Sequence, residues 1–277
     1  MKASFQKGLI LIRYIFPNLF MNEFLTETKY CDFNNSKVKE LATKITENAK
    51  TDQEKAVALF YWVRDNILYR VGFWNRKASE TLLDGKGVCT CKANLLIALL
   101  RAIGIPAGYG VMRVVGREYF GPIVPICLKN LASKESIHVY VFVFLDNRWI
   151  KCDPSDDKSL SAKIHHLNPQ SRIIEWDGET DAMLNLDPSH VLKNEGPLSN
   201  LDHIMCKKPR TATKNIVNFG NLYIHFLRKN SIEYTGVDQF WSSFMCWIRK
   251  NHFKNYLLFQ IAASWQGLKA KLHLTKY

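Results

Sequence analysis

Three residues far apart in the chain are of types that together perform acyl chemistry: Cys89, His138 and Asp153. Cys89 lies in Gly87-Val88-Cys89-Thr90-Cys91, where a polar run gives way to an apolar helix. At a helix N-terminus the unpaired backbone N–H groups and the dipole favour negative charge, so a thiolate there is stabilised. A thiolate can attack an amide carbonyl, an imidazolium can protonate the departing amine, and a carboxylate can fix the ring's orientation and tautomer. Taken singly, a cysteine is often just a small buried residue. It is the joint placement that points to chemistry.

The placement follows from a hairpin. "HVYVFVFL" (138–145) alternates, with His138, Tyr140, Phe142 and Phe144 on one face and the valines and Leu145 on the other. Asp146-Asn147 marks a two-residue turn, and "RWIKC" returns as a second strand ended by Asp153-Pro154. Leu145 then pairs with Arg148, and the register sets Tyr140 opposite Asp153 with His138 as its diagonal neighbour. Cys91, by contrast, lies about 200° round the helix from Cys89 and points elsewhere. Packing is its expected role. A zinc site would need Cys127, Cys152, His165 or His166 by assumption, since C-x-x-C pairs are absent. No metal or cofactor is expected.

The remaining pattern supplies the scaffold. Helices are expected over 36–49, behind Asn34-Asn35-Ser36, and from Thr51, which stands at capping-box spacing from Glu54. A short helical turn stops at Gly85. The helix from Cys89 is apolar nearly all round, and therefore buried, until Gly104 and Pro106 end it. "AGYGVMRVVG" reads as a strand. Residues 166–202 are polar and broken by Pro and Gly, which suggests an irregular connection, and His165-His166 reads as exposed loop. Three helices follow in 203–277, bearing Trp241, Trp247 and Trp265.

The chain has 277 residues and a formal charge of +13; from His203 onward twelve Lys or Arg face only Glu233 and Asp238. That segment suits an acidic partner or surface, although the solvated faces of C-terminal helices are the favoured account of the charge, and no specific nucleic-acid partner is expected. Seven scattered cysteines, an odd number, favour a reducing compartment and a cytoplasmic location. Arg13 and Pro17 interrupt the apolar N-terminal run, so residues 1–24 read as an N-terminal helical extension, neither a signal peptide nor a transmembrane segment.

"GKGVCTCKANLLIALLRAIGIPAGYGV", "SIHVYVFVFLDNRWIKCDPS" and the upstream helices resemble, over roughly residues 25–160, the core of the transglutaminase-like superfamily. The resemblance implies an α+β, papain-like core (residues 25–165), in which a helix bearing the cysteine packs on an antiparallel sheet bearing the histidine and aspartate, with a helical C-terminal extension. It implies Cys89 as nucleophile, His138 as general base and acid, and Asp153 as orienting carboxylate. Many relatives carry an acidic residue where this chain has Cys91, followed here by Lys92. For the oxyanion, the Cys89 N–H is the first donor; an aromatic donor as in animal transglutaminases would be Trp74, Tyr69 or Tyr140, with none assignable. The implied activity is thioester acyl transfer from a protein or peptide amide to water or an amine. The short chain, without the extra β-domains of the cross-linkers, favours hydrolysis, and no acidic loop suggests calcium. The alternative is a catalytically silent binding or scaffolding protein.

Overall fold

Asn35 and Thr51 start the first two helices as their side chains dictate. The Asn35 carboxamide accepts from the Lys37 N–H at the head of α1 (Ser36–Thr46), and Thr51 and Glu54 form a reciprocal capping box on α2 (Asp52–Asn66). The computed structural model describes residues 21–119, 123–129, 134–207, 214–261 and 264. The expected N-terminal helix and Trp265 lie outside them; residues 22–25 form a 3-10 turn whose Phe24 packs edge-on against Trp149.

Short strand β1 (Leu68–Tyr69) pairs in parallel with β2 (Lys86–Gly87), on either side of α3 (Ala78–Asp84). Gly85, at φ +61°, closes α3 with the left-handed residue that glycine adopts without strain. The chain then enters α4 (Cys89–Ala102), in which every residue from Cys89 to Arg101 is buried. α1, α2 and α3 pack around α4, which also packs against the main sheet. Fully burying each of its leucines is worth roughly 1.5–3 kcal/mol relative to exposure. Its polar residues are satisfied inside: Asn94 donates to the Tyr30 carbonyl and accepts from Tyr109 Oη, and Arg101 donates to the carbonyls of Thr26, Ala107 and Ser199. Arg101 thereby ties three chain segments to one helix end.

The main sheet is antiparallel, in the order β5-β4-β3-β6, with β3 Ala107–Val115, β4 Glu135–Leu145, β5 Arg148–Cys152 and β6 Val191–Leu198. β4 and β5 meet in the expected register, Leu145 opposite Arg148 and Val141 opposite Cys152, around a turn in which Asp146 (φ 49°) and Asn147 (φ 61°) are both left-handed. The valine face of β4 joins the α4 core, while Tyr140 and Phe142 form a second cluster with Met112 and Val114 on the other face. The fold is thus the expected α+β arrangement, a cysteine-bearing helix on an antiparallel sheet.

Two expectations need correction. Residues 166–202 are not all irregular connection, because β6 adds to the sheet edge beside β3. Nor is His166 exposed loop: it is half-buried against Tyr234 and Phe240. The cause is a second apolar cluster. α5 (Lys158–Ile164) and Leu167 pack with aromatic residues of α6 (Lys214–Lys229), α7 (Val237–Asn251) and the helix at 253–261, α8. The expected boundary at residue 165 therefore falls inside a shared cluster. Among the described residues, no helix is long and apolar enough to cross a membrane.

Candidate active site

The α4 mouth, the β4–β5 hairpin and the β1–β2 pair converge on one buried point. His138 Nε2 lies 2.6 Å from Asp153 Oδ2, both side chains fully buried. Asp153 Oδ1 in turn accepts from the Ser155 N–H at 3.1 Å and the Ser155 hydroxyl at 2.5 Å. The Asp-Pro-Ser turn thus fixes the carboxylate, and the carboxylate fixes the ring. Cys89, 6% exposed, lies beside His138 and heads α4, whose N-cap residue Val88 offers no side-chain cap. The helix's free N–H groups are left to the sulfur and whatever approaches it.

The electrostatics favour an ion pair. Burial alone would push the Cys89 thiol up, but the hydrogen bond and positive charge of His138, with the Val139 N–H, hold it below its ordinary value. Burial would lower His138; the charge and hydrogen bond of Asp153, and then Cys89, raise it well above an ordinary imidazole. Asp153 is likewise kept low against burial by His138 and Ser155. The three groups titrate as a coupled set in which each shift favours the charged form: thiolate, imidazolium and carboxylate.

Burial and the nearby Asp153 charge push Asp156 up to about 6. Lys92, fully buried, donates from Nζ to the Arg64 carbonyl and is pushed down to about 8 by burial, against the pull of Asp157, Asp156 and Asp153. It supplies positive charge behind the site where relatives are expected to carry an acid nearby.

Cys91 is fully buried away from this point, its thiol donating to the Phe73 carbonyl, and burial pushes it up to about 11. Its Cβ lies where a Cβ on Gly87 would have to go, 2.6 Å away. Of the aromatic candidates for the oxyanion, two are committed elsewhere. Trp74 Nε1 donates to the Ile204 carbonyl, and Tyr140 Oη donates to Asn194 Oδ1 at 2.8 Å. Tyr69 remains beside the thiol: burial and the Cys89 charge both raise its hydroxyl.

Two partners of the site carried no sequence signal, and one did. Tyr119, from the connection after β3, places its hydroxyl 2.9 Å from His138 Nδ1, and the charge of Cys89 acts on it too. Arg228 of α6 donates to the Tyr69 carbonyl and pairs with Asp157, whose Oδ2 also accepts from the Tyr69 N–H. A C-terminal helix thus holds an aromatic neighbour of the thiol in place. Ser155, by contrast, was legible in Asp-Pro-Ser, a sequence with Asx-turn character.

Removing the Ser155 hydroxyl should cost about 1–2 kcal/mol at pH 7, since Asp153 Oδ1 loses a buried donor. The hydroxyl favours the carboxylate, so the Ser155→Ala deficit should narrow as acid protonates Asp153, below the ordinary 3.8. Urea melts across pH would show it. A deficit unchanged by pH would mean the hydroxyl does not bond the charged form.

Among the described residues, no three His, Cys, Asp or Glu side chains are grouped to hold a metal ion.

Two solved structures are similar: one described as a "putative cysteine protease" from Cytophaga hutchinsonii, 25% identical with a TM-score of 0.38, covering 47% of this chain and 40% of that one. The other, described as a "putative protease" from Parabacteroides distasonis, is 16% identical with a TM-score of 0.33, covering 50% of this chain and 26% of that one. The chain thus spans less than half the length of either. None of the curated proteins matches it. The family model described as the transglutaminase-like superfamily matches residues 39–154, from α1 through Cys89 and His138 to Asp153-Pro154. Over that stretch the chain is similar to the transglutaminase-like superfamily.

Proposed function

We propose that the protein is a cysteine enzyme that cleaves an amide or peptide bond through a thioester, with Cys89 as nucleophile, His138 as general acid and base, and Asp153 as orienting carboxylate. The observation that carries this reading is the imidazole held with Nε2 on Asp153 at 2.6 Å, beside the Cys89 thiol on which its charge acts. Asp153 occupies Nε2, so the proton exchanged with sulfur and leaving group sits on Nδ1, the nitrogen Tyr119 also reaches.

In the first step Cys89 sulfur bonds to the carbonyl carbon, the C–N bond breaks, and Nδ1–H passes its proton to the amine. In the second, His138 takes a proton from water, whose oxygen replaces sulfur on the acyl carbon. The Cys89 N–H at the uncapped mouth of α4 is the first oxyanion donor. Water is the favoured acceptor, with a peptide as the substrate class; transfer to an amine would use the same thioester.

A silent binding protein is the second reading, and the nearly closed thiol, 6% exposed, is the observation in its favour. Alkylation with iodoacetamide followed by peptide mapping separates the two. Only thiolate reacts, so the Cys89 rate should climb with pH about a midpoint below the ordinary 9.0, while Cys31 and Cys91, both pushed up to about 11, stay behind. In Asp153→Asn the imidazolium loses its main support and deprotonates at lower pH, and the Cys89 midpoint should move up towards 9.0. A Cys89 midpoint at or above 9.0 in the unaltered protein would defeat the ion-pair reading.

A further inference from the structure

The C-terminal helices do more than cover the core. Between them and the catalytic core lies a cavity of about 780 Å³. One end is lined by Tyr119, Ser155 and Tyr69: the first bonds His138, the second bonds Asp153, and the third is held by Arg228. Through Tyr119 and Ser155 this end is one hydrogen bond from His138 and Asp153, while Cys89 itself does not line the cavity. Phe219, Ile224 and Leu227 of α6 with Ile164 of α5 give it an apolar wall, and Glu118, Lys129, Asp156, Arg172 and Asp187 also line it. The basic residues of the same segment, Lys229, Arg249 and Lys250, are exposed and stand outside the cavity. These three charges thus face solvent, Arg228 alone of those named turning inward to Asp157 and Tyr69, while the cavity wall of α6 is aromatic and aliphatic.

A largely apolar cavity of this size that also carries polar groups is the usual form of a small-molecule or side-chain site, where volumes run about 300–1,000 Å³. It exceeds what one small side chain would fill. We propose that it receives a bulky apolar group, a long aliphatic or aromatic chain attached to the scissile carbonyl, seated against α6 with the carbonyl at the tyrosine end beside Cys89. This assignment rests on Cys89 being the nucleophile. The C-terminal extension is then part of the substrate site, and its inner face selects the acyl group.

The test has a thiol-free arm and a thiol arm. In the first, octanamide binding to Cys89→Ala protein is measured by equilibrium dialysis, with acetamide as control. Octanamide should bind at least tenfold tighter than acetamide. Ile224→Asp, a half-exposed cavity position on α6, should weaken it at least tenfold, and Lys229→Asp on the outer face should leave it within twofold. In the second arm, N-octyl-iodoacetamide should alkylate Cys89 at least tenfold faster than iodoacetamide in otherwise unaltered protein, and Ile224→Asp should erase that ratio. Circular dichroism checks that Ile224→Asp folds; should it not, Ile224→Gln takes its place. Octanamide that fails to bind, or binds regardless of position 224, overturns the cavity assignment, and Cys89 alkylated equally by both reagents does so while leaving the nucleophile reading intact. Octanamide bound as expected with Cys89 inert to both reagents would instead sink the nucleophile reading, and with it the link between cavity and catalysis.

Discussion

Cys89→Ala should lower amide turnover by on the order of 10^4-fold or more while the protein stays folded, because loss of a nucleophile removes the covalent route altogether. The fold should survive because the neighbours of Cys89 do not depend on its sulfur. His138 keeps Asp153 at 2.6 Å, and Asp153 keeps both Ser155 donors. Asp153→Asn should be nearly as damaging in kcat, since an amide in that place no longer supports the imidazolium or its tautomer, with a penalty reaching about 10^4-fold in comparable triads. Combining the two substitutions should add little to the Cys89→Ala loss, as residues that act as a unit are not additive. Release of amine from a peptide carboxamide series is the measurement, with thermal melts as the fold control. Turnover retained by Cys89→Ala within tenfold would dispose of the thioester mechanism.

Gly110→Ala should strongly destabilise the fold, through a clash with no room to relax. A Cβ at Gly110 would stand 2.2, 2.3 and 2.6 Å from three ring atoms of Tyr140, its register partner across β3 and β4. Tyr140 cannot step aside: it is 1% exposed, and its hydroxyl is bonded to Asn194 of β6. Overpacking costs about 1–3 kcal/mol, and a broken buried hydrogen bond about another 1–3, so a loss of roughly 2–6 kcal/mol is expected. Tyr140 lies two residues from His138 on the same face, so any ring displacement is passed to the site as well. Tyr140→Ala combined with Gly110→Ala should be more stable than the sum of the single effects predicts, because the second alanine meets open space. A Gly110→Ala protein within 0.5 kcal/mol of the parent, on the order of an ordinary surface change, would refute the clash.

The pairing of His138 with Asp153 was legible because a hairpin is a local object: alternation names the faces and the turn residues name the register. The α4 mouth was legible for a similar reason, since an apolar helix bounded by glycine and proline declares its own ends. β6 was not. Its residues, VLKNEGPL, do not alternate and contain Gly196-Pro197, and an edge strand needs only one partner to exist. Tyr119 was hidden because it reaches His138 through tertiary placement of a connection, which periodicity does not describe. The contact of Arg228 with Asp157 joins residues 71 positions apart, and charge counting had assigned that arginine to solvent.

The two-residue turn at Asp146-Asn147 carries an evolutionary consequence. Its length sets the parity of the hairpin, and parity decides whether the imidazole and carboxylate meet. Relatives that lengthen this surface tip without compensating bulges should do so by even numbers of residues. A single inserted residue there, with no bulge to absorb it, would turn His138 and Asp153 to opposite faces of the sheet while touching neither.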